Sequence, residues 1–361
     1  MIRRAAAAIG LTAVVVAIGR TIGRRATDRL LDAPRTTPGE ASLGPDLDRL
    51  GGEVVRLRAR DGLRLAGRWL PVEPADDDTA WAPDPHEAIL LLHGYTGSIA
   101  PDLVEYGPYL RRTAGVLGLD FRGHGGSQPG PTTFGLLETE DIAGALAWLG
   151  DRGVTRVALM GTSMGGIAAI AAVAVLGDGA LPGADMDPAA PRHVAPAPRP
   201  RIVAVIAESV APELEIPIAS RLPGPARRFT AARLFDGAAR SLGADPRELE
   251  PGRVIGLVEP VPLLLIHGDA DTTVPVADGR RLAAMAGPNA RHWVVEGAGH
   301  SDAHVTAGQD YERRTTDFLR MAFSVARGQD AAGADAHRSG TLNRESRPQD
   351  GPATRSTPME D

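Results

Sequence analysis

Cysteine and lysine are both missing from the 361 residues of this chain. Without cysteine there is no disulfide, no thiolate nucleophile and no cysteine-ligated metal, and the redox compartment leaves no trace in the sequence. Without lysine, all 39 basic residues are arginine. Together with the load of alanine, glycine and proline, that fits a GC-rich coding bias better than a functional demand. The net charge of −6 offers neither nucleic acid nor an acidic surface an obvious partner. No G-x-G-x-x-G follows the first strand-like run and no Walker A sequence occurs, so nucleotide binding has no support. No repeat period is visible, and nothing in the residue pattern calls for a cofactor or a metal.

The N-terminus also falls short of a membrane-length apolar run. Residues 5–19 are uncharged, between Arg3-Arg4 and a second group at Arg20, Arg24, Arg25 and Arg29. As a helix they reach about 22 Å, less than a hydrocarbon core of about 30 Å. Ile9, Leu11, Val14, Val15, Val16 and Ile18 contribute about −3 kcal/mol to insertion, roughly what one central arginine would cost. Three readings of residues 1–30 therefore stay open: a short membrane anchor, the apolar stretch of a signal peptide, or an ordinary surface helix. Ala17-Ile18-Gly19 matches a cleavage site only loosely, which puts secretion last. If residues 5–19 associate with a membrane, the heavier arginine load behind them keeps the globular part cytoplasmic. Otherwise the chain is cytoplasmic.

What remains is enough for one large α/β core with an insertion, at 43% hydrophobic residues. Residues 31–51 form a linker with proline and aspartate, residues 52–327 the main domain, and residues 328–361 a polar, disordered tail. Residues 54–58 and 63–70 alternate apolar and polar around Asp61-Gly62, a β-hairpin with one wet face. Continuous apolar runs at 88–92, 115–119, 156–160, 202–207, 262–266 and 292–295 suit parallel strands buried on both faces. Helical stretches at 104–112, 134–149, 164–176, 276–286 and 304–326 separate most of them. That alternation predicts a doubly wound, mostly parallel sheet.

Two segments interrupt it. Residues 177–200 are rich in proline and alanine and read as a surface loop. Residues 210–257 are too long for one crossover. Phe229, Ala232, Leu234, Phe235, Ala238, Ala239 and Leu242 recur there at helical spacing, and Asp245-Pro246-Arg247-Glu248 reads as a helix start. The expectation is a small helical cap inserted before the strand at 262–266.

In open parallel sheets the ligand site lies beyond the carboxyl ends of the strands. The run at 154–160 meets Gly161-Thr162-Ser163-Met164-Gly165-Gly166 and then an alanine-rich helical segment. A serine between strand and helix sits on a sharp turn, with glycines where side chains would collide. The other strand ends carry His93-Gly94-Tyr95-Thr96-Gly97, then Asp120-Phe121-Arg122-Gly123-His124-Gly125-Gly126-Ser127, then His267-Gly268-Asp269-Ala270-Asp271-Thr272-Thr273-Val274-Pro275, then Gly297-Ala298-Gly299-His300. A serine hydroxyl needs a base beside it to attack, and an imidazole acting as base needs a carboxylate to hold its tautomer. Ser163, Asp271 and His300 supply these groups from loops on one edge.

With five motifs in this order, the chain resembles the α/β-hydrolase superfamily, and within it the group of serine esterases, monoacylglycerol-lipase-like enzymes and serine aminopeptidases. The resemblance implies Ser163 as nucleophile, His300 as base and Asp271 as orienting acid. It also implies an oxyanion hole from the backbone N–H groups of Tyr95 and Met164, and a fold of the α/β-hydrolase type. Asp269 and Glu208 are rival acids, but the family pattern sets the acid three residues before Val-Pro. His93, His124 and His267 stand on separate loops beside glycines and are expected to shape turns rather than ligate a metal. Asp120 and Arg122 are expected to tie their loop to its neighbours, and Asp302 and His304 to lie on the surface. The expected activity is cleavage of a small-molecule carboxylic ester with an apolar acyl chain beneath the cap. An aminopeptidase, with Glu213 and Glu215 holding the substrate amine, and a non-catalytic binding protein of the same fold are the alternatives.

Overall fold

The computed structural model describes residues 21, 23–32, 44–73, 81–177 and 199–345. The apolar run 5–19 and most of the proline-rich loop 177–200 lie outside them. Among the described residues no helix is long and apolar enough to cross a membrane. Two units are distinguished, 1–323 and 324–361. All that follows concerns the first, except that the last helix is drawn to Glu345.

Eight strands form one sheet: β1 (Glu53–Arg58), β2 (Arg64–Leu70), β3 (Glu87–Leu92), β4 (Gly115–Asp120), β5 (Arg156–Thr162), β6 (Arg201–Glu208), β7 (Leu263–Gly268) and β8 (Ala290–Val295). The helices are α1 (23–31), α2 (Gly44–Leu50), α3 (Ile99–Leu110), α4 (Glu138–Gly150), α5 (Met164–Leu176), α6 (Glu215–Ala219), α7 (Arg227–Leu242), α8 (Pro251–Val254), α9 (Val276–Met285), α10 (Ala303–Ala307) and α11 (Gln309–Glu345).

The strand order is β1-β2-β4-β3-β5-β6-β7-β8. β1 and β2 pair antiparallel through Leu57↔Leu65, β2 pairs antiparallel with β4, and every pairing from β4 to β8 is parallel. β3, β4 and β7 are buried along their whole length, as their unbroken apolar runs require when helices cover both faces. β1 alternates and keeps one wet face. From β3 the chain steps to β4 on one side and then to β5 on the other. The turns after β3 and β5 thus flank the point where the winding reverses, the place where such sheets open a crevice.

Helix α5 is buried from Met164 to Ala174. Its alanines let it lie close on β5 and β6, and a helix apolar all round has to be enclosed. Helix α4 begins at Glu138, four residues later than the apolar pattern implies. Phe134 and Gly135 hold positive φ, at 54° and 112°. The Glu138 carboxylate then accepts from the amides of Thr133 and Gly135, both at 2.8 Å. The positive-φ turn at 134–135, held by the Glu138 carboxylate, sets the start, not hydrophobicity.

The insertion is helical, as its spacing predicts: α6, α7 and α8, with 3₁₀ turns at Pro246–Leu249 and Ile255–Leu257. Asp245 accepts from the Arg247 amide at 3.0 Å, but the turn it caps ends at Leu249.

Two expectations need correcting. Part of the 31–51 linker is helix α2, with Asp46 in its first turn and Arg49 in its last, joined at 2.6 Å. Those placements favour a helix, and Pro45 lies in its first turn, where proline is tolerated. Residues 328–345, expected to be disordered for want of large apolar residues, are helical. Their four alanines stand beside three glycines, so composition alone does not account for the helix, which continues α11 without a break.

Candidate active site

The turn between β5 and α5 has no room for side chains. A Cβ on Gly161 would overlap the backbone of Gly165, and one on Gly165 would overlap the carbonyl of Leu92 on β3. Ser163 sits between them at φ 51° and ψ −114°, a conformation a non-glycine residue holds only when its surroundings force it. Its amide donates to the Glu208 carbonyl at 2.8 Å, and its carbonyl accepts the Ile167 amide at 3.0 Å. Strand and helix thus fix the hydroxyl's position.

The loop after β8 brings the imidazole. His300 Nε2 lies 3.0 Å from Ser163 Oγ, and His300 Nδ1 lies 2.8 Å from Asp271 Oδ2. The Ser163–His300 contact spans 137 positions of sequence. Asp271 Oδ1 accepts from the amides of Thr273 and Val274, each at 2.8 Å. Burial alone would raise the pKa of this enclosed carboxyl. The hydrogen bonds from His300 and the two amides outweigh burial and hold it below the ordinary carboxylate range. A charged Asp271 in turn requires the proton of His300 on Nδ1, which leaves Nε2 free to take the serine proton.

Of the three carboxylates considered for this place, only Asp271 reaches His300. Asp269 is exposed and accepts from the Gly297 amide at 2.7 Å, anchoring the histidine loop from the outside. Glu208 anchors it from the inside. Its Oε1 accepts from the Ala303 amide at 3.0 Å and its Oε2 from the Tyr311 hydroxyl at 2.9 Å. The Ser301 amide donates to Ser209 Oγ at 3.0 Å. Burial pushes the Glu208 carboxyl up to about 7, against those two hydrogen bonds. The part played by Glu208 and Ser209 had no signal in the sequence beyond an acid at a strand end.

Tyr95 and Met164 belong to the two turns that meet at Ser163. Met164 opens α5, so its amide is the first of a helix and has no intrahelical acceptor. Tyr95 belongs to the turn after β3, next to Gly94. A Cβ on Gly94 would lie 3.7 Å from the Ser163 Cβ, so this turn passes directly beside the serine.

The other motif residues shape the rim. His93 is buried; its Nε2 accepts the Phe121 amide at 3.0 Å and its Nδ1 faces the Gly94 carbonyl at 2.8 Å. Burial, and the nearby His124, push its pKa down to about 3, so it is a neutral turn-former. His124 Nδ1 pairs with the Arg122 carbonyl at 2.9 Å and His267 Nε2 with the Val274 carbonyl at 2.8 Å. Asp120 accepts from the amides of Ile99 and Gly126. Arg122 binds Asp141 through Nε and Nη2, and Asp61 through Nη1. These are the tying roles expected of them. His304 departs from expectation: half-buried rather than exposed, it lies between Glu105 at 2.7 Å and Glu312 at 3.3 Å, stacked on Tyr109. Among the described residues there is no group of three or more His, Asp or Glu that could hold a metal ion.

The described geometry has counterparts. Residues 89–314, well over half of the chain, match the model of the alpha/beta hydrolase family. The chain is 28% identical over 291 residues to the uncharacterized protein YfhR of Escherichia coli K12, covering 80% of this chain and 86% of that one. A Salmonella typhi YfhR is 26% identical over 277 residues, with 76% and 83% covered. Among solved structures, the Pyrococcus furiosus esterase Pf2001 superposes with a TM-score of 0.54 at 22% identity, covering 80% of this chain and 99% of that one. An alpha-beta hydrolase from Vibrio vulnificus gives a TM-score of 0.56 at 19% identity, over 82% and 93%. At those identities the two structures speak for the fold alone. The family match, the eight-stranded mostly parallel sheet and the order of its strands agree: this chain belongs to the α/β-hydrolase family.

Proposed function

We propose that this hydrolase cleaves carboxylic esters of apolar acyl groups through an acyl-enzyme on Ser163. The observation that carries the reading is the unbroken line Ser163–His300–Asp271, with contacts of 3.0 and 2.8 Å. In the proposed reaction Ser163 Oγ attacks the ester carbonyl while its proton passes to His300 Nε2. Asp271 keeps the imidazole oriented and stabilises its charged form. The negative oxygen of the tetrahedral intermediate takes hydrogen bonds from the amides of Tyr95 and Met164, each worth about 3 to 4 kcal/mol in the transition state. The intermediate collapses, the C–O bond to the alcohol breaks, and His300 returns the proton to the leaving alkoxide. Water then repeats the sequence on the acyl-enzyme, with His300 again as base, and frees the carboxylic acid and Ser163.

An apolar acyl group suits the surroundings of Tyr95. Its ring lies 5.0 Å from Phe134, which meets Phe235 of the cap edge-on at 5.8 Å. Leu214, Ile218 and Phe235 join the cap to the main core. The acids that a peptidase would use on a free amine are engaged elsewhere: Glu213 pairs with Arg281, and Glu215 with Arg247 at 3.4 Å. Binding an ammonium group there would mean giving up those partners.

A series of p-nitrophenyl esters of rising chain length tests the proposal. The expected result is a burst of p-nitrophenol with the full chain, none with Ser163→Ala, and little turnover of aminoacyl-naphthylamides. Identical traces from the parent and Ser163→Ala would refute it.

A further inference from the structure

Helix α1 touches three separate parts of the site's rim. The Tyr95 hydroxyl donates to the Leu30 carbonyl at 3.0 Å and reaches the Arg29 carbonyl at 3.5 Å. The Thr132 amide donates to the Leu31 carbonyl at 2.7 Å. Thr27 rests on Gly237 in the middle of cap helix α7: a Cβ at 237 would run into Thr27 Oγ1 and lie 3.3 Å from both Thr27 Cβ and Cγ2. Thr27, Leu30 and Leu31 are buried, and Leu30 is part of the main core.

These contacts are specific in kind. The last carbonyls of a helix have no partner within it and must find one outside. Here Tyr95 and Thr132 are those partners. Phe134, two residues beyond Thr132, packs between the rings of Tyr95 and Phe235. Glycine inside a helix is destabilising relative to alanine, so its presence at 237 needs a reason, and the close approach of Thr27 supplies one.

We propose that residues 23–32 are a positioning element of the catalytic centre. By gripping the Tyr95 side chain they hold the turn after β3, and with it the Tyr95 N–H, where the oxyanion forms. The N-terminal segment thereby sets the rate of the chemical step rather than serving as a mere leader to the domain. The catalytic half of this inference rests on the proposed ester hydrolysis; the mechanical half does not. Oxyanion donors act through exact placement, and displacement by an ångström costs up to about a hundredfold in rate.

The test uses the full chain with Gly237→Ala, which crowds Thr27 without touching the catalytic residues. The expected result with p-nitrophenyl acetate is a kcat lower by about fivefold or more, with KM within about twofold. Adding Thr27→Ala removes Oγ1 and Cγ2 and should restore kcat to within about twofold of the parent. Hydrogen exchange of the 93–97 amides should quicken in Gly237→Ala and slow again in the double variant. Tyr95→Phe, which introduces no clash, should show the same loss of kcat and the same faster exchange. If α1 were only a passenger, Gly237→Ala would displace it and still keep both kcat and the exchange of 93–97, which would overturn the inference. A loss of kcat that Thr27→Ala fails to restore would overturn it too. If the parent hydrolyses no ester, the proposed function falls, and the exchange pattern alone decides whether α1 holds the turn.

Discussion

Glu208→Gln separates the loop-holding carboxylate from the orienting one. Glu208 is buried, with 1% of its surface exposed, and binds the Ala303 amide and the Tyr311 hydroxyl at 3.0 and 2.9 Å. Burial raises its pKa from 4.5 to about 7. Between those values the folded chain keeps a proton that the unfolded chain has released. The stability this contributes is complete below about pH 4.5 and is lost as pH rises through 7. The shift is worth about 3 kcal/mol at 1.36 kcal/mol per unit. Glutamine is neutral throughout and its amide oxygen can still accept from Ala303. Denaturant unfolding of the parent and of Glu208→Gln, measured from pH 4.5 to 8, should therefore diverge. The parent should lose about 3 kcal/mol relative to the variant over that range. A difference that stays constant with pH would refute the reasoning. Because the Asp271–His300 contact is untouched, kcat should fall by less than about tenfold. A loss as large as that expected for Asp271→Asn would make Glu208, not Asp271, the carboxylate on which His300 depends.

Asp271→Asn should lower kcat by about ten thousandfold with little change in KM, because an amide nitrogen facing Nδ1 favours the wrong imidazole tautomer. Asp269→Asn removes an exposed charge while its amide oxygen can still accept from Gly297, and should cost no more than about fivefold; steady-state kinetics of the pair reads both. Arg122→Ala leaves Asp141 buried without its partner, the two side chains being 2% and 0% exposed. Urea unfolding should show a loss of about 3 to 5 kcal/mol.

The centre of the sheet could be read from the chain because burial on both faces writes itself as unbroken apolar runs, at residues 88–92 and 115–119 above all. The turn around Ser163 was equally readable, since Gly161 and Gly165 stand where no side chain fits. The rest depends on contacts that have no period. Nothing about Leu30 announces that its carbonyl will receive the Tyr95 hydroxyl, 65 positions away. The choice of Asp271 over Asp269 came from a family pattern. Its physical ground is that Asp271 turns inward to His300 while Asp269 turns outward to Gly297. His304 looked like a surface residue because Glu105, its nearest partner, lies 199 positions earlier. The start of α4 departs from the apolar pattern because Glu138 holds the turn at 133–135 out of the helix.

The central claim is that Ser163 is a nucleophile made reactive by His300. Labelling the full chain with a fluorophosphonate and mapping the adduct by mass spectrometry tests it most directly. One adduct, on Ser163, is predicted, absent from Ser163→Ala and formed at least about a hundredfold more slowly in His300→Ala. Labelling at another residue, or undiminished labelling of Ser163→Ala, would contradict the account.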